Sequence, residues 1–361
     1  MKNNLKRFSI FIFILVILFL LVLLLIAKSY LGKIENEADQ NNIIHTEQLT
    51  DEQIMQEFLE EEAETDAEDS AKEEILQLES QMEEQLDTNA EDEIIQKSED
   101  VFNILLIGCD TRKKGGVGRS DTMILVSLNE ETEKISMTSI MRDSYVSIPG
   151  KGNNRLNAAY AFGGGSLLLD TIETNFAVDV DKYVAVDFYA FVDIVDSIGG
   201  IELSISEAEI PVLNKYIKSI NNLNGRDPNA YLVSAPGSQH VNGTQALAYA
   251  RIRYVGNGDF ERTQRQRTVI TKVFEKVKTL NLLEMNDLLN AFLPQIKTNL
   301  TEGEILSLMV NALSYLQYDL ESYRLPVDGS YEHMRINGMA VLGIDLKKNQ
   351  DALQEIIYGE E

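Results

Sequence analysis

The sequence predicts an α/β domain with a central sheet over residues 101–358, joined to one transmembrane helix by an acidic connector. Three observations carry this expectation. From Val101 onward, short β-like apolar runs alternate with amphipathic helical stretches. A charge-free apolar run fills 8–27. Between the two lies a stretch without Gly or Pro in which Glu, Asp and Gln dominate.

Residues 8–27 are twenty positions with no charge, and at 1.5 Å per residue such a helix spans about 30 Å, the thickness of a bilayer core. Lys2, Lys6 and Arg7 precede it and acidic chain follows. The bias of basic residues toward the inner side then places residues 1–7 in the cytoplasm and everything beyond Lys28 outside the cell. A cleaved signal peptide is the competing reading, disfavoured by the length of the run and the lack of a convincing small-residue cleavage site.

Residues 34–100 hold 25 acidic and 2 basic side chains, whereas 1–33 hold 5 basic and none acidic, so only −8 of the net charge of −26 remains for 101–361. Residues 28–100 therefore read as an extracellular acidic tether that cannot bury a core of its own. Ile75, Leu78, Met82 and Leu86 recur at helical spacing, which leaves a short coiled coil as the alternative. The acidity argues against nucleic acid as a partner.

Within 101–358, strands are expected at 102–107, 122–128, 134–141, 183–187 and 201–205. Helices are expected at 155–176, broken at Gly163-Gly164-Gly165, and at 188–197, 260–279, 302–317 and 346–357. With 44% hydrophobic residues, this length can bury a sizeable core. The single cysteine, Cys109, excludes an internal disulfide and reads as a buried thiol after the run Asn103–Gly108. Three scattered histidines, His45, His240 and His333, give no zinc spacing and disfavour a His-dependent triad.

The charged residues carry the chemistry. In the helix expected after Asp259, read as its N-cap, Val269, Ile270, Val273, Phe274 and Val277 make an apolar stripe. Steps of three and four back from Val269 reach Gln266, Arg265 and Arg262, so cations continue the inward face into the first turns. The positive end of the helix dipole repels them, and a bound anion would remove the conflict. A partly exposed helix start with snorkelling arginines is the bland alternative. Upstream, Ala250-Arg251-Ile252-Arg253 read as extended chain would project Arg251 and Arg253 from one face.

Asp110 and Arg142-Asp143 follow expected strands, where α/β sheets place ligands, and Arg119-Ser120-Asp121-Thr122 opens another. The intervening Gly115-Gly116-Val117-Gly118 matches no phosphate-binding fingerprint and reads as a hairpin loop in preference to a phosphate nest. Asp110 and Asp121 together can hold Mg²⁺ with phosphate oxygens completing its shell. Forked arginines, a divalent ion and a carboxylate to orient a hydroxyl are the inventory of phosphoryl transfer, for which lysines serve less well.

These motifs resemble the LytR-CpsA-Psr family of cell-wall glycopolymer transferases. The resemblance rests on Asn103–Arg112, Arg119-Ser120-Asp121-Thr122-Met123, Ser139-Ile140-Met141-Arg142-Asp143 and Arg155–Gly164. It continues through Gln245–Arg253, Asp259-x-x-Arg262-x-x-Arg265-Gln266 and the tail Leu325-Pro326-Val327-Asp328-Gly329, all in family order. It implies a central mixed β-sheet flanked by helices, a single-pass membrane topology with the catalytic domain outside, and a hydrophobic pocket for a polyprenyl chain. It also implies Mg²⁺ or Mn²⁺ at Asp110 and Asp121, with catalysis centred on Asp110, Asp121, Arg142 and Arg262. Arg119, Arg142, Arg251, Arg253 and Arg262 would surround the pyrophosphate, supported by Arg265 and Gln266. The implied reaction moves a glycopolymer phosphate from a polyprenyl-pyrophosphate carrier to a peptidoglycan hydroxyl. Two mild departures are Cys109, where the family often has an aliphatic or small residue, and Arg155-Leu156 in place of the commoner Lys-Ile. A pyrophosphatase or phosphodiesterase using water, and a non-catalytic envelope regulator, stand as alternatives. Teichoic acid, capsule and other wall glycans all fit as the polymer.

Overall fold

The computed structural model describes residues 98–110, 119–253, 255–256 and 258–359, together with Gly32 and the strand Glu35–Asn36. The expected cytoplasmic residues 1–7, the apolar run 8–27 and most of the acidic stretch lie outside the described residues. Among the described residues no helix is long and apolar enough to cross a membrane.

The elements are β1 (Glu35–Asn36), β2 (Val101–Asp110), β3 (Arg119–Asn129), β4 (Lys134–Ile140), β5 (Tyr145–Ile148), β6 (Gly152–Arg155), α1 (Leu156–Phe176), β7 (Lys182–Asp187), α2 (Phe188–Ser197) and β8 (Ile201–Ile205). There follow α3 (Ile210–Leu223), β9 (Gly237–Val241), α4 (Gly243–Ala250), α5 (Asp259–Val277), α6 (Leu282–Phe292), β10 (Lys297–Thr298), α7 (Glu302–Tyr315), β11 (Asp319–Leu325), β12 (Tyr331–Ile336), β13 (Met339–Ile344) and α8 (Leu346–Tyr358).

Seven strands form the sheet in the order β1-β10-β7-β2-β3-β4-β11. It is mixed: β3 runs antiparallel to both β2 and β4, while β2 pairs parallel with β7 and β4 parallel with β11. The edge strand β1 comes from inside 28–100 and pairs with β10 through Glu35 with Lys297, so that stretch contributes to the sheet near its start.

Alternation along the strands divides the core, since successive side chains point to opposite faces. Leu105, Ile107, Met123, Leu125 and Ile140 pack against Ile172 and Phe176 of α1 and Leu353 and Ile357 of α8. Ile104 and Val184 face the other way, onto Leu293, Ile296, Leu300 and Ile305. A third cluster joins α2, β8, α3, α4 and Val269 of α5. Cys109 is buried, and burial pushes its thiol up to about 12, so it is inert as expected.

Helix α1 kinks where the glycine run foretells it, with Gly163 and Gly164 outside helical geometry and Gly164 at φ 66°. Gly165 is required for a different reason: a β-carbon there would sit 2.4 Å from the Tyr183 ring, so its absence lets α1 lie directly on β7.

Candidate functional site

Strands β2, β4, β7 and β11 share one direction and β3 opposes them, which gathers the carboxyl ends of β2 and β4 and the amino end of β3 along one edge. Asp110 closes β2 opposite Arg119, Asp121 lies two residues into β3, and Arg142-Asp143 follows β4. The segment 111–118 joins two antiparallel strands; its own structure lies outside the described residues. The start of α5 crosses this edge, contacting β4 and β11. The helix begins one residue earlier than the sequence suggests. Gly258, at φ 58°, is its N-cap, so Asp259 is the first helical residue and its carboxylate turns to the arginines instead of capping the turn.

Arg142 is the hub. Its Nη1 donates to Asp121 Oδ1 at 2.5 Å, its Nε lies 3.5 Å from Asp143 Oδ1, and its Nη2 lies 3.6 Å from Asp259 Oδ2. Arg253 Nε and Arg262 Nη2 lie 2.9 Å and 3.4 Å from Asp259 Oδ1 as ion pairs, while Arg155 Nη1 stands 3.8 Å from Asp143. Four guanidiniums therefore meet three carboxyls.

Those carboxyls are shifted in different directions. Burial and a hydrogen bond shared with Asp259 push Asp143 up against the pull of Arg142. Burial alone would raise Asp259 and Asp121 too, but for Asp259 the Arg262 and Arg142 guanidiniums win, and for Asp121 Arg142 and Arg262 win. Both are held well below the usual carboxylate range. Burial lowers Arg142 as well, yet Asp143 and Asp121 together raise it well above its ordinary value. Arg262 moves the opposite way, pushed down first by burial and then by repulsion from Arg142. Four guanidiniums around three carboxyls leave an excess of positive charge, and Arg262 carries its cost. Arg262 Nε and Arg251 Nη1 are also buried with no hydrogen-bond partner in the described structure. Buried donors of this kind call for a ligand.

The remaining predicted residues divide. Arg251 is not in extended chain; it closes α4 with helical dihedrals and stacks over Phe188 at 4.7 Å and Tyr216 at 5.4 Å, so it does not share a face with Arg253 in the way a strand would impose. Arg265, expected to support the pyrophosphate shell, has its donors taken up within the protein. Its Nε donates to Glu209 at 2.8 Å and its Nη2 to Glu261 at 3.0 Å, while the carbonyls of Ile252 and Val255 take further donors. Thus occupied, it clamps the segment that carries Arg253. Gln266 is buried on the same side of α5, and Arg119 is half-buried at the start of β3. Arg155, Asp143 and Asp259 are members of the network that the sequence places in motifs, as a departure, a strand-end residue beside Arg142 and a helix cap, without assigning them to the site.

Among the described residues no three His, Cys, Asp or Glu side chains gather as a metal site. The Asp110 side chain is not among those described, but its backbone places it at the same edge as Asp121, which stays ionised with one oxygen held by Arg142. Two hard carboxylates suit Mg²⁺ or Mn²⁺ only when phosphate oxygens supply the rest of the shell, so the donor set fits a metal that arrives with substrate.

The LytR_cpsA_psr family model matches residues 46–356. A polyisoprenyl-teichoic acid–peptidoglycan teichoic acid transferase, TagU of Bacillus cereus, is 35% identical over 238 residues, 65% of this chain and 71% of that protein. A solved structure of TagT bound to LIIa-WTA is 27% identical with a TM-score of 0.57, covering 73% of this chain and 94% of that one. TagT (YwtF) with bound octaprenyl pyrophosphate lipid is 26% identical with a TM-score of 0.54 over the same shares.

Proposed function

We propose that this chain, which belongs to the LytR-CpsA-Psr family, is a phosphotransferase that moves a glycopolymer phosphate from a polyprenyl-pyrophosphate carrier to a peptidoglycan hydroxyl. The observation that carries the reading is the over-cationic network at the sheet edge, in which Arg142, Arg155, Arg253 and Arg262 outnumber the three carboxyls they face and buried donors wait for an acceptor. Relatives named for teichoic acid transfer and a similar structure holding octaprenyl pyrophosphate support the substrate class.

In this reaction Arg262, Arg253 and Arg142 bind the pyrophosphate through forked N–H groups and carry the charge that spreads over its oxygens as the bridge breaks. The acceptor hydroxyl oxygen forms a bond to the sugar-linked phosphorus while the P–O–P bridge opens and polyprenyl phosphate leaves with the electron pair. Asp121, kept ionised by its arginines, orients the hydroxyl and accepts its proton for release to solvent. A divalent ion at Asp110 and Asp121 would supply further charge neutralisation. The carrier's apolar tail would lie along the sheet face of Ile104 and Val184, where Leu289, Phe292, Leu308 and Met309 are only partly buried. Incubating the full chain in detergent with lipid-linked glycan and peptidoglycan should give wall-linked glycan, and EDTA should abolish it. Phosphate release without transfer would instead make it a hydrolase, no reaction would make it a binding protein, and full activity in EDTA would remove the metal.

The apolar run 8–27 would anchor the chain with residues beyond Lys28 outside the cell. Only seven residues, 28–34, separate that run from β1, and at about 3.6 Å each they reach at most about 25 Å, so the β1 edge of the sheet would stay close to the bilayer. Protease added to intact protoplasts should digest 101–358; protection would reverse this orientation.

A further inference from the structure

Helix α5 carries a second stripe that the network above leaves unused. Phe260, Gln264 and Arg267 recur at i, i+4 and i+7, on a different side from Arg262, Gln266 and Val269. Arg267 is only 5% exposed. Its Nη2 donates to Gln264 Oε1 at 2.6 Å, but its Nε and Nη1 are buried without a hydrogen-bond partner, and among the described residues no carboxylate pairs with it. Burial and then the neighbouring Arg324 push its guanidinium down to about 10.

Arg324, on β11, stacks over Phe260 at 4.4 Å and Tyr331 at 5.9 Å. Among the described residues it pairs with one acid, Asp328, which is 92% exposed. In the parallel register Arg324 is opposite Ser139 of β4, which places both on one face of the sheet, and Ser139 Oγ is also buried with no partner. Buried donors of Arg267 and Ser139 without an acceptor, beside an Arg324 whose acid lies in solvent, form an unfavourable arrangement unless something negative joins them. A structural role does not explain it, because hydrophobic residues of similar volume would pack there at lower cost.

We propose that Arg267, Arg324 and Ser139 form a second anion subsite beside the pyrophosphate site, one that takes a phosphate or carboxylate borne by the donor's sugar chain. The inference rests on the transferase reading given above. Arg262 and Arg267 are five residues apart, about 140° around the helix axis and about 7.5 Å along it, so a single pyrophosphate does not satisfy both. The subsite also adjoins an aromatic cluster in which Phe260 lies 5.0 Å from Tyr331 and Tyr331 5.9 Å from the exposed His333 ring. Aromatic faces pack against the C–H faces of sugars, so an anion recognised here is one carried on a sugar. Two open guanidinium edges suit the paired oxygens of either phosphate or carboxylate.

The test compares full-length wild type and Arg267→Gln on three polyprenyl-pyrophosphate oligosaccharides: one neutral, one with a sugar phosphate, one with a uronate. The ratio of kcat/KM on an anionic donor to that on the neutral donor should fall about tenfold, chiefly through KM, and the donor that shows the fall identifies the anion. An unchanged ratio for both anionic donors overturns the subsite. If Arg267→Gln does not fold, Arg324→Gln is read in the same way. A binding arm stands independently of turnover. In an Arg262→Ala background, inorganic phosphate or glucuronate should still raise the melting temperature, and adding Arg267→Gln should remove that rise. A rise that persists in the double variant overturns the proposal even if the chain proves not to be a transferase.

Discussion

Arg142→Gln is expected to lower stability by about 3–5 kcal/mol, read as a fall in melting temperature of roughly 10 °C for a domain of this size. The side chain is largely buried and stands within 3.6 Å of Asp121, Asp143 and Asp259 at once. Removing it strands Asp121, which has no other ion pair among the described residues, and glutamine restores at most one or two neutral hydrogen bonds. The effect carries a pH signature. Asp121 and Asp259 have folded-state values below their unfolded ones, so the stability they confer is present above about pH 4 and is lost as pH falls through the folded values. The variant forfeits much of that contribution from the outset. Its deficit relative to wild type should therefore be widest near neutral pH and close as the acids protonate. Equal melting temperatures at pH 7 would show that the sheet edge is not held by these ion pairs.

How much of this was legible in the sequence depended on whether the signal was local. The apolar runs of β2, β3 and β4, and the glycine break in α1, announce themselves through contiguous apolar residues and conformational freedom, which act within a few residues. Helices α3, α4 and α6 were missed. Helix α4 is a short segment whose start is set by Asn242 and Gln245 in a capping box, a signal hidden by the apolar and small residues around it. Missing it also produced the extended reading of Arg251. Strands β12 and β13 are held by pairing with each other, and β11 by lying parallel to β4, partnerships between residues far apart that no local pattern encodes.

At the site, the arginines and Asp121 were visible because cations on an apolar stripe are anomalous. Their division of labour was not. Arg262 and Arg265 occupy equivalent positions on one helix face, three residues apart, yet Arg265 finds Glu209 on α3's approach and becomes a clamp. That acid is 56 residues away in sequence. Arg267, adjacent to the motif, carries no sequence signal of its own; tertiary packing buries it near Arg324.

Arg262→Ala should leave the unliganded protein nearly as stable as wild type while abolishing its response to polyprenyl pyrophosphate. Two opposing effects set the first half. Arg262 pairs with Asp259 only at 3.4 Å, and Asp259 keeps both Arg253 and Arg142, so no carboxylate is stranded when Arg262 goes. Against the lost contact stands relief of repulsion, since Arg142 and burial together push Arg262 below its ordinary value. Arg142 is pushed in the reverse direction, which is why the two arginines should behave oppositely on removal. The second half follows from mass action: a ligand stabilises only the state that binds it, so at 100 times its Kd the wild type gains about 2.7 kcal/mol. For a domain of this size that gain is a rise of roughly 5–10 °C in melting temperature. The variant should show none. Should Arg262→Ala unfold readily while its folded fraction keeps its affinity for the lipid, the arginine is architecture and the pyrophosphate binds elsewhere.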